Sequence, residues 1–271
     1  MGPIGVFDSG YGGLTVFREI VKKLPQYDYV YLGDNARVPY GTRSFETVYA
    51  YTKECVDQLF DMGCRLVVLA CNTASAKALR SIQQRDLPNY PDLRKVLGVI
   101  RPTTEIIGNH TKSRHVGILA TPGTIKSASY PIEIQKFFPD INVFQQSCPL
   151  WVPLVENNEL DSPGTAYFVE TDIRKLLQQS PHIDAVILGC THYPLLLPLI
   201  ERFMPPGIRV LAQGGLVADS LADYLQRHPE VEALCTKEGR IRFFTTDNAL
   251  DFEEKAGRFY GQSIQAAELQ L

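Results

Sequence analysis

Short runs of consecutive apolar residues, many of them β-branched, recur along the chain with longer amphipathic stretches between them. Residues 4–7, 29–32, 66–70, 96–100, 115–120, 141–145, 185–188 and 209–212 form such runs. Segments 45–62, 74–84, 165–179 and 218–227 carry apolar residues at helical spacing. A strand that is apolar throughout, rather than at every second residue, is buried on both faces. Buried strands alternating with helices predict an α/β fold whose mostly parallel sheets are covered on both sides.

The chain also repeats itself weakly. Ile4-Gly-Val-Phe-Asp-Ser-Gly resembles Val116-Gly-Ile-Leu-Ala-Thr-Pro-Gly, and Leu66-Val-Val-Leu-Ala-Cys71 resembles Ala185-Val-Ile-Leu-Gly-Cys190. Each half offers a strand ending in a glycine- and hydroxyl-rich loop, then a strand ending in cysteine. Two pseudo-symmetric α/β units of roughly 100 residues each suit the length.

Composition narrows the function. Charged residues make up 21% and the net charge is -3. No basic stripe suggests nucleic acid, and no apolar run approaches the roughly 20 residues that span a bilayer. Met1 leads directly into a predicted buried strand, without a charged segment followed by a cleavable apolar one, so a cytoplasmic protein is expected. The six cysteines form no Cys-x-x-Cys pair. Free thiols are the expectation in a reducing compartment, and inert packing is the ordinary role of each.

Open parallel sheets bind ligands beyond the carboxyl ends of their strands. The residues there are Asp8-Ser9-Gly10, Gly33-Asp34-Asn35, Cys71-Asn72-Thr73, Thr121-Pro-Gly-Thr124 and Cys190-Thr191-His192. Cys71 stands just before a predicted helix, whose free N–H groups can stabilise a thiolate or bind a carboxylate. Packing alone explains its position equally well. Cys190 and His192 supply too few ligands for zinc and suit proton transfer better. A helix-capping His192 beside an inert Cys190 is the alternative. Two thiols at equivalent ends of two related units favour chemistry. The glycines of 8–13 match neither a dinucleotide fingerprint nor a P-loop and let the backbone approach a small ligand. Asp8 is either a loop cap or a partner of a nearby thiol.

Taken together, these residues resemble the aspartate/glutamate racemase family, and glutamate racemases above all. The stretches that carry the resemblance are Gly5-Val-Phe-Asp8-Ser9-Gly-Tyr-Gly-Gly-Leu-Thr15, Gly33-Asp-Asn-Ala-Arg-Val-Pro39-Tyr40-Gly41 and Ala70-Cys71-Asn72-Thr73-Ala-Ser-Ala. Cys148-Pro-Leu-Trp-Val-Pro-Leu-Val-Glu156 and Gly189-Cys190-Thr191-His192-Tyr-Pro-Leu complete the set. They occur in the family's order and span most of the chain.

The resemblance implies interconversion of L- and D-glutamate, without pyridoxal phosphate or metal, to supply peptidoglycan synthesis. It casts Cys71 as the base for D-glutamate and Cys190 as the base for L-glutamate. Asp8 and His192 assist the respective thiols, with Glu156 as a further acidic neighbour. It places substrate contacts at Asp8, Ser9, Tyr40, Gly41, Asn72, Thr73, Thr191 and His192. It also divides the chain into a first domain, 1–98 with 208–271, and a second, 99–207, with the site in the cleft between them. The partner is a small-molecule substrate, and a homodimer is one assembly open to such a chain. Asn35 and Gln213 depart from the family's usual Thr and Asp. The chain starts without the extension of members activated by a cell-wall precursor, so no such activation is expected. An aspartate racemase is the near rival, and a two-lobed amino-acid-binding protein without catalysis the remote one. A pyridoxal enzyme needs a Schiff-base lysine, and none of the strand-end loops holds one.

Overall fold

The computed structural model describes residues 1–271 and contains two sheets in which every strand pairing is parallel. The first lobe opens with β1 (Ile4–Asp8), α1 (Gly13–Lys23), β2 (Tyr29–Gly33) and α2 (Phe45–Asp61). It continues through β3 (Leu66–Leu69), α3 (Asn72–Lys77), α4 (Leu79–Ser81) and β4 (Lys95–Gly98). The chain crosses at Val99 into α5 (Ile100–Thr104), β5 (His115–Ala120), α6 (Pro122–Ser127), α7 (Ser129–Phe137) and β6 (Asn142–Ser147). Then come α8 (Trp151–Glu156), α9 (Pro163–Gln178), β7 (Ala185–Gly189), α10 (Leu197–Phe203) and β8 (Arg209–Leu211). The return segment holds α11 (Gly214–Arg227), α12 (Pro229–Glu232), β9 (Ile241–Thr245), α13 (Ala249–Tyr260) and β10 (Ala266–Glu268).

The strand orders are β10-β9-β2-β1-β3-β4 and β6-β5-β7-β8. Inside the larger sheet, β2-β1-β3-β4 has the same order as the whole smaller one, so the weak sequence repeat corresponds to a repeated topology. β1 and β5 are the equivalent inner strands, and β3 and β7 are the equivalent strands that end at the two cysteines. All five residues of β1, β2 and β7 are buried, as strands covered on both faces must be. Helix starts follow local chemistry. Ser44 accepts from Thr47 N at the head of α2, and Ser162 does the same from Thr165 N before Pro163 opens α9.

Two expectations need correction. The expected return to the first domain at 208 falls before β8, yet Arg209 is in register with Ala185 of β7. Sheet membership therefore places the return after Leu211. The single helix expected over 74–84 is three pieces: α3, α4 and a π-helical turn at Ile82–Asp86. The Ala76 carbonyl, which a continuous helix would give to the N–H four residues on, accepts instead from Ser129 Oγ at 3.1 Å. This contact with the second lobe falls at the break between α3 and α4. No helix is long and apolar enough to cross a membrane.

Candidate active site

Cys71 and Cys190, at the ends of β3 and β7, line one cavity of about 100 Å³ between the lobes. The same cavity is lined by Ser9, Tyr40, Gly41, Asn72, Thr73, Glu156, Thr191 and His192. Backbone and hydroxyl contacts hold the lobes together at its rim. Gly123 N donates to Gly41 O at 2.7 Å, and the Thr73 and Thr121 hydroxyls lie 3.0 Å apart.

The two thiols have different surroundings. Cys71 caps α3, and its sulfur accepts from Ala74 N at 3.4 Å with Ser9 Oγ also at 3.4 Å. These contacts favour a thiolate, as expected of a helix start, but they are outweighed. Burial and then the nearby Asp8 carboxyl push the Cys71 thiol up to about 12. Burial and Asp8 thus favour Cys71 as a thiol in the free site.

On the opposite side, His192 Nδ1 faces Cys190 Sγ at 3.8 Å and Nε2 meets Glu156 Oε1 at 2.9 Å. Burial works to lower the imidazole pKa, while the bonds to Cys190 and Glu156 raise it, and the balance stands at about 10. The ring packs edge-on against Phe259, with centroids 5.4 Å apart. Gly12 of the first lobe presses on it from above. A Cβ there would fall 2.3 Å from both His192 Nδ1 and Thr191 Oγ1, so only glycine lets this loop close over the imidazole.

Two of the expected substrate contacts, Asp8 and Tyr40, are buried beside the cavity. Asp8 is only 1% exposed and does not line the cavity. Gly10 N holds its Oδ2 at 2.9 Å, tucking the carboxylate behind Cys71, and Oδ1 has no hydrogen-bond partner. Burial raises the Asp8 pKa, against the pull of His192 and of the Gly13 and Gly10 amides. Its position suits a partner of the thiol rather than a substrate contact. Tyr40 does line the cavity, but its hydroxyl is spent on Asp34. That carboxylate is also held by Arg37 Nε at 2.8 Å and Thr246 Oγ1 at 2.8 Å. Tyr40 therefore offers the cavity its ring and backbone.

Thr121 and Cys148 also line the cavity, although the sequence reading placed neither among the site residues. Thr121 was visible as a strand-end hydroxyl in the second unit. Cys148 lay within a recognised motif, but a buried cysteine gives no local sign of whether it faces a ligand. No group of three or more His, Cys, Asp or Glu side chains is arranged to hold a metal ion.

The Asp/Glu/Hydantoin racemase family matches residues 4–221 of the chain. A glutamate racemase of Syntrophus aciditrophicus is 39% identical over 269 residues, covering 98% of this chain and 95% of that protein. A glutamate racemase isoform of Bacillus anthracis has a similar structure, with a TM-score of 0.90 at 33% identity over 100% of this chain and 98% of that one. The glutamate racemase of Francisella tularensis, solved in complex with D-glutamate, gives 0.84 at 30% identity over 99% and 97%. An aspartate racemase of Picrophilus torridus shares the fold at 0.56, with 18% identity over 83% and 94%.

Proposed function

The chain belongs to the Asp/Glu/hydantoin racemase family, among its glutamate racemases, and from that premise we propose that Cys71 and Cys190 are its opposed acid/base pair. The enzyme interconverts L- and D-glutamate. One observation carries the assignment of roles: two thiols, at equivalent strand ends of a repeated topology, line a single small cavity.

With L-glutamate bound, the Cys190 thiolate takes the α-proton, breaking the C–H bond and forming S–H. The electron pair left on the α-carbon is shared with the carboxylate. Cys71, held as a thiol by burial and Asp8, then gives its proton to the opposite face. The product is D-glutamate, with a thiol at Cys190 and a thiolate at Cys71. Starting from D-glutamate, the same steps run in reverse.

His192, kept protonated between Glu156 and Cys190, places positive charge beside the sulfur that must act as base for L-glutamate. On the other side, the Asp8 carboxyl at the end of β1 lies near Cys71. The hydroxyls and amide of Ser9, Asn72, Thr73 and Thr191 are the donors available to the α-carboxylate as charge develops on it. Substrate filling the cavity would displace water and strengthen those donors.

We assign residues 1–98 with 212–271 to one domain and 99–211 to the other. We also place the reaction in the cytoplasm, as a supply of D-glutamate for peptidoglycan, with glutamate as the molecule recognised and a homodimer as the assembly to test. The decisive measurement of the two-thiol assignment is the optical rotation of L-glutamate incubated with wild type, Cys71→Ala and Cys190→Ala. Wild type should racemise it, and each variant should stay folded, lose about 1 kcal/mol of stability or less and show no turnover. Near-normal turnover by either folded variant overturns the assignment.

A further inference from the structure

Gln213 lies where the chain returns from the second lobe to the first, between β8 and α11, and it is 3% exposed. Its side chain reaches the other crossing and the catalytic helix at once. Nε2 donates to Val99 O at 3.0 Å and to Tyr130 OH at 2.8 Å, with Thr103 Oγ1 at 3.2 Å. Oε1 accepts from Asn72 Nδ2 at 2.8 Å. Tyr130 OH in turn donates to Asn72 Oδ1 at 2.7 Å. Gln213, Tyr130 and Asn72 thus close a buried ring of three hydrogen bonds.

The direction of every bond in that ring follows from one atom. The Val99 carbonyl can only accept, so the Gln213 nitrogen must face it. The Gln213 oxygen must then face Asn72, which requires the Asn72 nitrogen on that side and its oxygen toward Tyr130. Tyr130 spends its single hydrogen on Asn72 and so accepts from Gln213. Asn72 lines the cavity next to Cys71. The ring uses one of its two amide hydrogens and leaves the other free to donate.

We propose that Gln213 is a positioning residue: through Tyr130 it locks the Asn72 amide as a hydrogen-bond donor to the substrate carboxylate, and it ties that orientation to the crossing at Val99. The proposal rests on the placing of Asn72 at the substrate given above. An acidic residue in this position could accept from Asn72 but, when ionised, could not donate to Val99 or Tyr130. The Gln in this chain therefore provides the donor that fixes the ring's direction.

The test is Gln213→Glu, nearly the same shape, with KM and kcat measured in both directions from pH 6 to 9 and folding followed by circular dichroism. While the introduced carboxyl is protonated it can still donate, and KM should stay within about twofold of wild type. Once it ionises, Val99 O repels it and Tyr130 turns its hydrogen to the carboxylate, so Asn72 Oδ1 loses its donor and the bond from Asn72 Nδ2 alone no longer fixes the amide. KM relative to wild type should then rise about tenfold with rising pH, with much less change in kcat. Tyr130→Phe, which removes the donor to Asn72, should raise KM by a similar factor with no such added pH dependence. Asn72→Ala separates the two readings. If it leaves KM unchanged, Asn72 does not hold the substrate and the proposal falls with that placement. If it raises KM while folded Gln213→Glu and Tyr130→Phe stay within about twofold of wild type at every pH, only the positioning role is overturned.

Discussion

His192 bridges two acidic groups of unlike chemistry: its Nε2 lies 2.9 Å from Glu156 Oε1, and its Nδ1 lies 3.8 Å from Cys190 Sγ. No group of this kind stands behind Cys71, whose neighbours are the Ser9 hydroxyl and the Asp8 carboxyl. The duplicated fold thus presents equivalent thiols with unequal support, and the consequences differ between the two directions of reaction.

Glu156→Gln keeps a hydrogen-bonding side chain but removes the charge that helps hold the imidazole protonated. Turnover from L-glutamate should fall by about 10- to 100-fold, less than the ~10²–10⁴-fold of direct general acid/base assistance because Glu156 acts through His192. The reason is that Cys190 then lacks a cation beside it when it must act as base. Stability carries a separate signature. A histidine whose pKa rises on folding, here from 6.5 to about 10, contributes stability that is complete below the unfolded value and lost as pH rises through the folded one. Denaturant titrations should show wild type ahead of Glu156→Gln near pH 6.5, with the gap closing toward pH 10. A constant gap across that window would remove the imidazolium from the account.

Tyr40→Phe tests what that residue contributes. Its hydroxyl bonds to the fully buried Asp34 rather than facing the cavity. Loss of that bond should cost about 1–2 kcal/mol of stability, because a buried acceptor loses a donor. KM for glutamate should stay within about threefold of wild type. A large rise in KM at unchanged stability would put the hydroxyl on the substrate instead.

Much of this arrangement was legible in the sequence. The apolar runs of β1, β2, β3 and β7 reported burial on both faces, whereas β4, β6 and β8, expected to be buried too, are partly exposed; the short repeats around Cys71 and Cys190 reported equivalent strand ends. β9 and β10 were not recognised, because β10 is a three-residue edge strand and its neighbour Ile241–Thr245 is only partly buried and lacks the continuous apolar run. The break in the 74–84 helix falls where Ser129 of the second lobe, distant in sequence, meets Ala76. Tyr130 lies in none of the segments picked out by periodicity, and nothing local marks its hydroxyl as a partner of Asn72. The protonation of Cys71 was hidden for a similar reason. A cap is local and can be read from spacing, whereas burial requires both lobes in place.

The state of Cys71 can be followed by alkylation, since only the thiolate reacts. In the free enzyme, labelling of the Cys71 peptide by iodoacetamide should be slow at neutral pH and still rising at pH 10, because burial and Asp8 both disfavour the charged sulfur. Asp8→Asn removes the second of these influences and should shift the labelling curve to lower pH. Labelling that levels off below pH 9 in wild type would contradict the geometry around this thiol.

Solvent deuterium separates two bases from one. When L-glutamate is converted in D₂O and sampled early, Cys190 removes the proton from one face and Cys71, equilibrated with solvent, delivers deuterium to the other. The D-glutamate formed should carry deuterium at the α-carbon while the remaining L-glutamate stays largely protiated. Starting from D-glutamate exchanges the roles of Cys71 and Cys190, so the labelled product should then be L-glutamate. A single base serving both faces gives a different pattern: it either carries the original proton across or returns deuterium to the substrate pool. Extensive labelling of unreacted L-glutamate before any reverse flux is measurable would therefore overturn the opposed-thiol mechanism. The Cys71→Ala variant provides the internal control. It keeps Cys190 and its His192–Glu156 support, so any residual chemistry should be exchange of the α-proton of L-glutamate without formation of D-glutamate. Exchange of the α-proton of D-glutamate by that variant, from the face Cys71 has vacated, would contradict the assignment of that face to Cys71.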